Sequence, residues 1–252
     1  MELHEILKQI DTLHAELSAL RPLPAEALKR INEALSVEYT YESNRIEGNT
    51  LTLQETALVV NEGITISGKS MREHLEAINH AEAIDFIREL AAKDSPIDER
   101  TIKEIHALIL RGIDRENAGR YREVGVMITG SRHTPPASYQ IPEQMEAFIS
   151  GFHRLEQEEA HPVEVAAYLH DELVKIHPFI DGNGRTSRLL MNLYLLRHGY
   201  PVVSLKADAE SKTRYYSALE TSHIDGERGD FTAFVAGAVL DTLARYLSLV
   251  RG

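Results

Sequence analysis

The sequence predicts a mainly α-helical protein with one small β-hairpin, and three observations carry that reading. Apolar residues recur at three- and four-residue spacing through most of the chain, as in Leu75, Ile78, Ala81, Ile84, Ile87 and Leu90. The periodic stretches are bounded by caps and stops: Ser70-x-x-Glu73 opens one, and Gly112 and Gly199 end two others. Only the stretch from Gly119 to Pro136 departs from this pattern. Its short run Val124, Val126, Met127, Ile128 is closed by Gly130-Ser131 and Pro135-Pro136, the mark of a hairpin.

Taken in order, residues 2–20 carry the stripe Leu3, Ile6, Leu7, Ile10, Leu13, Leu17 and Leu20, ended by Pro22 and Pro24. This stripe suits either an arm packed on the body or a dimer contact. A second helix is expected from about Pro24 to Tyr41, with Leu28, Ile31 and Leu35 on one face. The run Ser43 to Thr52 then reads as a helix end at Gly48 followed by the capping box Thr52-x-x-Glu55. The Ser70 helix runs to about Lys93, and Pro96 breaks it. Asp98 caps the next, with Ile102, Ile105, Leu108 and Ile109 inward. After the hairpin, Pro142 opens a helix bearing Met145, Phe148, Ile149, Phe152 and Leu155, and the acidic run 156–159 is a solvated face. Pro162 starts a helix through Val163, Ala166, Leu169, Leu173 and Ile176, on which His170 has a packing role. Another runs from about Arg185 to His198. Helical spacing resumes from Ser211 to Glu220, and Asp230 caps a last apolar helix.

Composition narrows the function. The 252 residues suit one generous domain or one with an N-terminal extension, divided here as 1–40 and 41–252. A net charge of -12 works against a general nucleic-acid binder, although a local pocket suffices for a nucleotide. The absence of Cys removes thiolate chemistry, and the 12 His show no metal-binding spacing. No apolar run reads as long enough to span a bilayer, and the first residues lack a basic region followed by an apolar stretch. A cytoplasmic location with no membrane partner is therefore expected.

The chemistry concentrates in Ile176 to Arg188. Pro178 stops a helix just after His177, placing an imidazole at the helix end facing a loop. Gly182 and Gly184 flank Asn183 and allow an anion-binding nest. A new helix begins near Arg185, whose N-terminal turn favours phosphate, and Arg185 and Arg188 can fork onto its oxygens. Asp181 fits this anion site as the holder of a divalent cation, since Mg²⁺ takes one or two carboxylates plus substrate phosphates. Together these features describe a polyphosphate site.

This run resembles the HPFxDGNGRxxR signature of the Fic family, whose known members mostly transfer AMP from ATP to a hydroxyl side chain of a protein. The resemblance covers most of the chain from about Ser43 onward. It implies a Fic-type helical bundle with a hairpin flap. It also implies a protein adenylyltransferase acting on Ser, Thr or Tyr, with His177 as base, Asp181 on Mg²⁺ or Mn²⁺, and Gly182, Asn183 and Gly184 cradling the phosphates. Arg185 would hold the β-phosphate and Arg188 the γ-phosphate. Ser43, Glu47 and Gly48 fill the family's inhibitory pattern on a helix at about 38–48, so Glu47 is expected to pair with Arg188 and misaim the nucleotide. The flap edge Met127, Ile128, Thr129 and Gly130 would pair with the target backbone. Tyr216 matches a nucleoside-contacting Tyr, whereas His223 stands where Asn is usual. A homodimer and self-modification are further expectations of the resemblance. Removal of AMP by the same site, a different nucleotide donor, and a non-catalytic ATP-binding interaction module remain open as alternatives.

Overall fold

In a computed structural model, which describes residues 2–23 and 25–251, the chain is built from helices. The described residues form ten α-helices and one short 3-10 turn at Ser138–Gln140. The helices are α1 Leu3–Ala19, α2 Ala25–Ile46, α3 Leu53–Glu62, α4 Met71–Ala92, α5 Glu99–Ile109, α6 Ile141–Gln157, α7 Pro162–Ile176, α8 Asn183–Arg197, α9 Ala209–Asp225 and α10 Gly229–Arg251. The expected start of the second helix at Pro24 lies outside the described residues.

The pair α7 and α8 forms the centre, with α4 and α5 against α8 and with α6 and α10 against α7. Every residue of α8 from Arg185 to Leu195 is buried. A helix buried all round must satisfy its polar groups internally. Accordingly, Ser187 Oγ donates to Asn183 O, and Asn192 brackets Val203, donating to its carbonyl and accepting from its N–H. This fastens the extended chain after α8 to the core.

The termini of the helices follow local chemistry. Thr52 and Ser70 each accept from the N–H three residues on, while Glu55 and Glu73 return the bond, so both capping boxes form. The α1 stripe packs along α10 of its own chain, with Ile6, Ile10 and Leu17 in the core. Two expectations are corrected. The motif helix begins at Asn183, two residues early, because Gly182 with φ 79 turns the chain directly into it. And α10, 23 residues containing an 18-residue stretch of mean hydropathy 1.5, does have the length and composition to cross a bilayer; Phe231, Val235, Val239 and Leu243 on it lie in the core.

The hairpin expectation is also corrected. Among the described residues no strand forms, and 119–137 is an irregular loop. Its β-rich residues have no second strand to pair with, because the loop is fixed at its base by one arginine instead. Buried Arg122 donates through Nε to His177 O (2.8 Å), through Nη1 to Val124 O (2.8 Å) and through Nη2 to Pro136 O (2.6 Å), while its N–H donates to Pro178 O. At the tip, Ser131 N–H closes a turn onto Ile128 O, with Gly130 at φ 82.

Candidate active site

The loop between α7 and α8 is shaped by side chains that bond its own backbone. Asn183 accepts from Phe179 N–H (3.0 Å) and donates to Phe179 O (2.9 Å), closing the loop on itself. The Asn183 side chain thus holds the loop closed from within, each end of its amide bonding the Phe179 backbone once. What remains for an anion is the first turn of α8, whose N–H groups have no partner within the helix. Phe179 is buried and stacked on His106, with ring centroids 3.6 Å apart. Gly119 N–H donates to His106 Nδ1, so the proton sits on Nε2, which donates to Asp181 O at 2.9 Å. Burial holds His106 down at about 4, so it stays neutral in that tautomer.

His177 caps α7 in the left-handed region, φ 51 and ψ 57, with its N–H on Leu173 O. Its Nδ1 lies 3.3 Å from Val174 O. A carbonyl only accepts, so Nδ1 carries the proton and Nε2 keeps a lone pair. Burial lowers this imidazole to about 4, with Arg122 adding to the effect. The ring is therefore neutral across the neutral range.

Arg188 is fully buried and fully engaged. Nε donates to Ser43 Oγ (2.9 Å), Nη2 to Ser43 O (3.0 Å) and to Glu47 Oε1 (2.6 Å), and Nη1 to Tyr215 OH (3.3 Å). Burial opposes its charge, but Glu47, with Tyr215 and Tyr39 adding to it, more than offsets that and raises its pKa. Glu47 reaches Arg188 across the start of α8: a Cβ built on Gly184 would lie 2.3 Å from Glu47 Oε1. The carboxylate thus occupies the volume where the first turn would meet an anion. Gly48, with φ 97, turns the chain away just after it. Ser43 and Glu47 are brought to Arg188 as the sequence implied.

Arg185 is equally buried but poorly partnered. Nη2 is 3.4 Å from Asp181 Oδ1 and Nη1 is 3.3 Å from Glu76 Oε1, yet Nε and Nη1 have no hydrogen-bond partner among the described residues. Asp181 itself accepts from Gly182 N–H (2.6 Å) and from Arg72 Nη2 (2.5 Å), and its side chain is 41% exposed. Burial alone would raise this carboxyl, but Arg185, the Gly182 N–H and Arg72 hold it below its usual range. No cluster of three metal-ligating side chains exists among the described residues. One partly exposed, ionised carboxylate fits a Mg²⁺ ion that draws its other ligands from phosphate and water.

A cleft of about 650 Å³ opens at His177 and Gly184, within the roughly 300–1,000 Å³ of ligand pockets. The loop from Ile128 to Arg132 walls one side and α9 the other, with Glu47 at the inner end. Tyr216 lines it half-exposed, its OH 3.4 Å from Ile46 O. Ile128, Thr129 and Gly130 line it as well, whereas Met127 is 91% exposed and does not. His223 reaches the cleft only by its edge. Its side chain is 3% exposed, and Nε2 is tied to Asp171 Oδ1 at 3.1 Å. Asp181 and Arg185 do not line the cleft.

Sequence reading missed Arg122, His106, Arg72 and Tyr215. Their roles depend mostly on partners far along the chain, which residue spacing does not reveal.

The Fic/DOC family matches residues 96–195, the span that holds the loop between α7 and α8 and the 128–132 side of the cleft. Fic-1 from C. elegans is 32% identical with a TM-score of 0.88, over 99% of this chain and 73% of that one. The chain belongs to the Fic/DOC family. A Fic domain containing signaling protein from Bacteroides thetaiotaomicron superposes with a TM-score of 0.86 at 29% identity, covering 97% of each chain. Protein adenylyltransferase Fic of Nematostella vectensis is 37% identical over 97% of this chain and 56% of its own length. The chain thus spans about half the length of the curated relatives it matches. Those alignments also include α2, so Ser43 and Glu47 fall within the shared region.

Proposed function

We propose that this Fic protein is a protein adenylyltransferase held in check by Glu47. The observation that carries the reading is the neutral His177, with Nε2 unprotonated, at the floor of a nucleotide-sized cleft beside the first turn of α8. A Ser, Thr or Tyr hydroxyl attacks the α-phosphorus of ATP. The new O–P bond forms, the bond from that phosphorus to the bridging oxygen breaks, and pyrophosphate leaves. His177 Nε2 takes the hydroxyl proton, help worth typically about 10²–10⁴-fold. The first-turn amides and Arg185 bind phosphate oxygens, and Arg188 joins them once released from Glu47. Asp181 would hold a Mg²⁺ ion, whose charge offsets that building on pyrophosphate.

The flap loop supports presentation of a target. Among the described residues the N–H groups of 125–130 have no partner, so Met127 to Gly130 offer an open edge to an extended polypeptide. Glu220 holds the tip in place, accepting from Ser131 Oγ and Arg132 N–H.

The test is incubation of the wild type, Glu47→Gly and His177→Ala with α-labelled ATP. Label should appear on protein chiefly with Glu47→Gly and be absent with His177→Ala. Equal labelling by all three defeats both the catalytic and the inhibitory assignment.

A further inference from the structure

The C-terminal half of α2, which carries Ser43 and leads into Glu47, is fastened to the chain beyond α8 by a row of contacts away from the cleft. Glu38 pairs with Lys206 through Oε1 and with Arg245 through Oε2 (2.5 Å). Glu42 accepts from Ala207 N–H at 2.8 Å and lies 3.7 Å from Lys206. At the helix end, Lys212 Nζ donates to Ile46 O at 3.0 Å.

Beside the Glu38 junction is a second cavity of about 190 Å³, separate from the cleft. Its apolar part is Leu35 of α2, Val202, and Phe234 of α10, with Gly237 leaving one side open. A Cβ on Gly237 would meet no atom within 4 Å. Ser204 Oγ, on the cavity lining, is screened from solvent and has no hydrogen-bond partner among the described residues. In a chain of net charge -12, this lining gathers three cations, Lys206, Arg214 and Arg245, against two acids, Glu38 and Asp241. Arg214 sits 5.8 Å from the centre of the Phe234 ring and has no carboxylate partner among the described residues. Glu38, at 13% exposure, serves both Lys206 and Arg245, with Glu42 a longer second partner of Lys206. Lys206 and Arg245 each present about half of their side chains to solvent, so both stay within reach of a competing anion.

We propose that this cavity binds a small organic anion, an apolar body bearing a phosphate or carboxylate head, which takes Lys206 and Arg245 from Glu38 and so loosens α2. The apolar body rests on Phe234 and Val202, and the head meets the three cations. With Glu38 released, the Glu47 end of α2 is held less firmly against Arg188. The consequence for activity rests on the adenylyltransferase reading; the binding and the loosening do not.

The probe is phenyl phosphate, with benzyl alcohol as the uncharged comparison. Binding is measured by calorimetry on the wild type, Glu38→Gln and Gly237→Leu, each shown by thermal melting to be folded. Phenyl phosphate should bind the wild type, bind Glu38→Gln about tenfold more tightly, and bind Gly237→Leu at least tenfold more weakly because leucine fills the space. Benzyl alcohol should bind far more weakly than phenyl phosphate, and excess ATP should displace neither. Amide exchange across 43–48 should quicken when the probe binds the wild type, and label transfer should rise in step, with neither change in Gly237→Leu. Undiminished binding to Gly237→Leu, displacement by ATP, or no binding to wild type and Glu38→Gln alike overturns the site. Binding without faster exchange overturns the coupling. Should Glu47→Gly transfer no label while binding and exchange behave as stated, the adenylyltransferase reading fails and this site stands.

Discussion

Arg185 and Arg188 lie one helical turn apart on α8, both buried, and in opposite conditions. Arg188 has every nitrogen engaged, by Ser43, Tyr215 and Glu47, all outside α8. Arg185 has two nitrogens without a hydrogen-bond partner and only long contacts to Asp181 and Glu76. Burying a cation's donors unpaired is expensive, so such a group is normally found where an acceptor is to arrive. The difference teaches that one half of the anion site is filled by the protein itself, while the other half stands ready. A carboxylate meets Arg188 at 2.6 Å, whereas the two carboxylates nearest Arg185 stand off at 3.3 and 3.4 Å.

This contrast can be broken most forcefully at Arg188. Arg188→Met leaves Ser43 O, Tyr215 OH and Glu47 without their donor, and urea unfolding should show a loss of about 3 kcal/mol, the lower end for broken buried pairs because Glu47 can turn to water. Glu47→Gln keeps the shape and removes the charge. With the Glu47 side chain 35% exposed, the pair is discounted toward surface values, and label transfer should rise about tenfold, equivalent to 1.4 kcal/mol.

Acid sharpens the comparison next. His170 is held at about 3 by burial and then by Arg188. Its unfolded value is near 6.5, so the unfolded chain binds more protons between these values. The stability that His170 contributes is complete above pH 6.5 and is lost as pH falls toward 3. Melting followed from pH 7 to pH 4 should show this decline, and Arg188→Met should make it shallower. Transfer by Glu47→Gly should stay flat near neutrality and fall as His177 takes a proton near pH 4. The smallest effect belongs to Arg185→Met in the absence of nucleotide, about 1 kcal/mol or less, because few contacts are lost. An equal loss for the two arginine variants would end the distinction drawn between them.

The legible part of this molecule was local or charged. His177, Asp181, Gly182, Arg185 and Arg188 fall within one turn of chain, and helical periodicity placed both helices that carry them. The Glu47 to Arg188 pairing was legible through a family pattern, although 141 residues separate the two. Arg122 was not, because its acceptors are backbone carbonyls, which leave no trace in residue types. His106 was read as part of an apolar helix, and its bond to Asp181 O spans 75 residues. Asn183 was placed in the loop by its spacing, but its closure onto the Phe179 backbone was not, since spacing does not say which way an amide faces. The loop 119–137 was misread as a hairpin because β-rich composition predicts a strand only where a second strand is available to pair with it.

The backbone at His177 has an implication for how this protein can change over generations. A left-handed position at a helix terminus suits glycine, and any other residue there gives up roughly 1–2 kcal/mol. Drift under selection for folding alone would therefore favour glycine at this position. The imidazole stands against that gradient, so a lineage released from the need for the reaction has a downhill route to an inactive and sturdier scaffold.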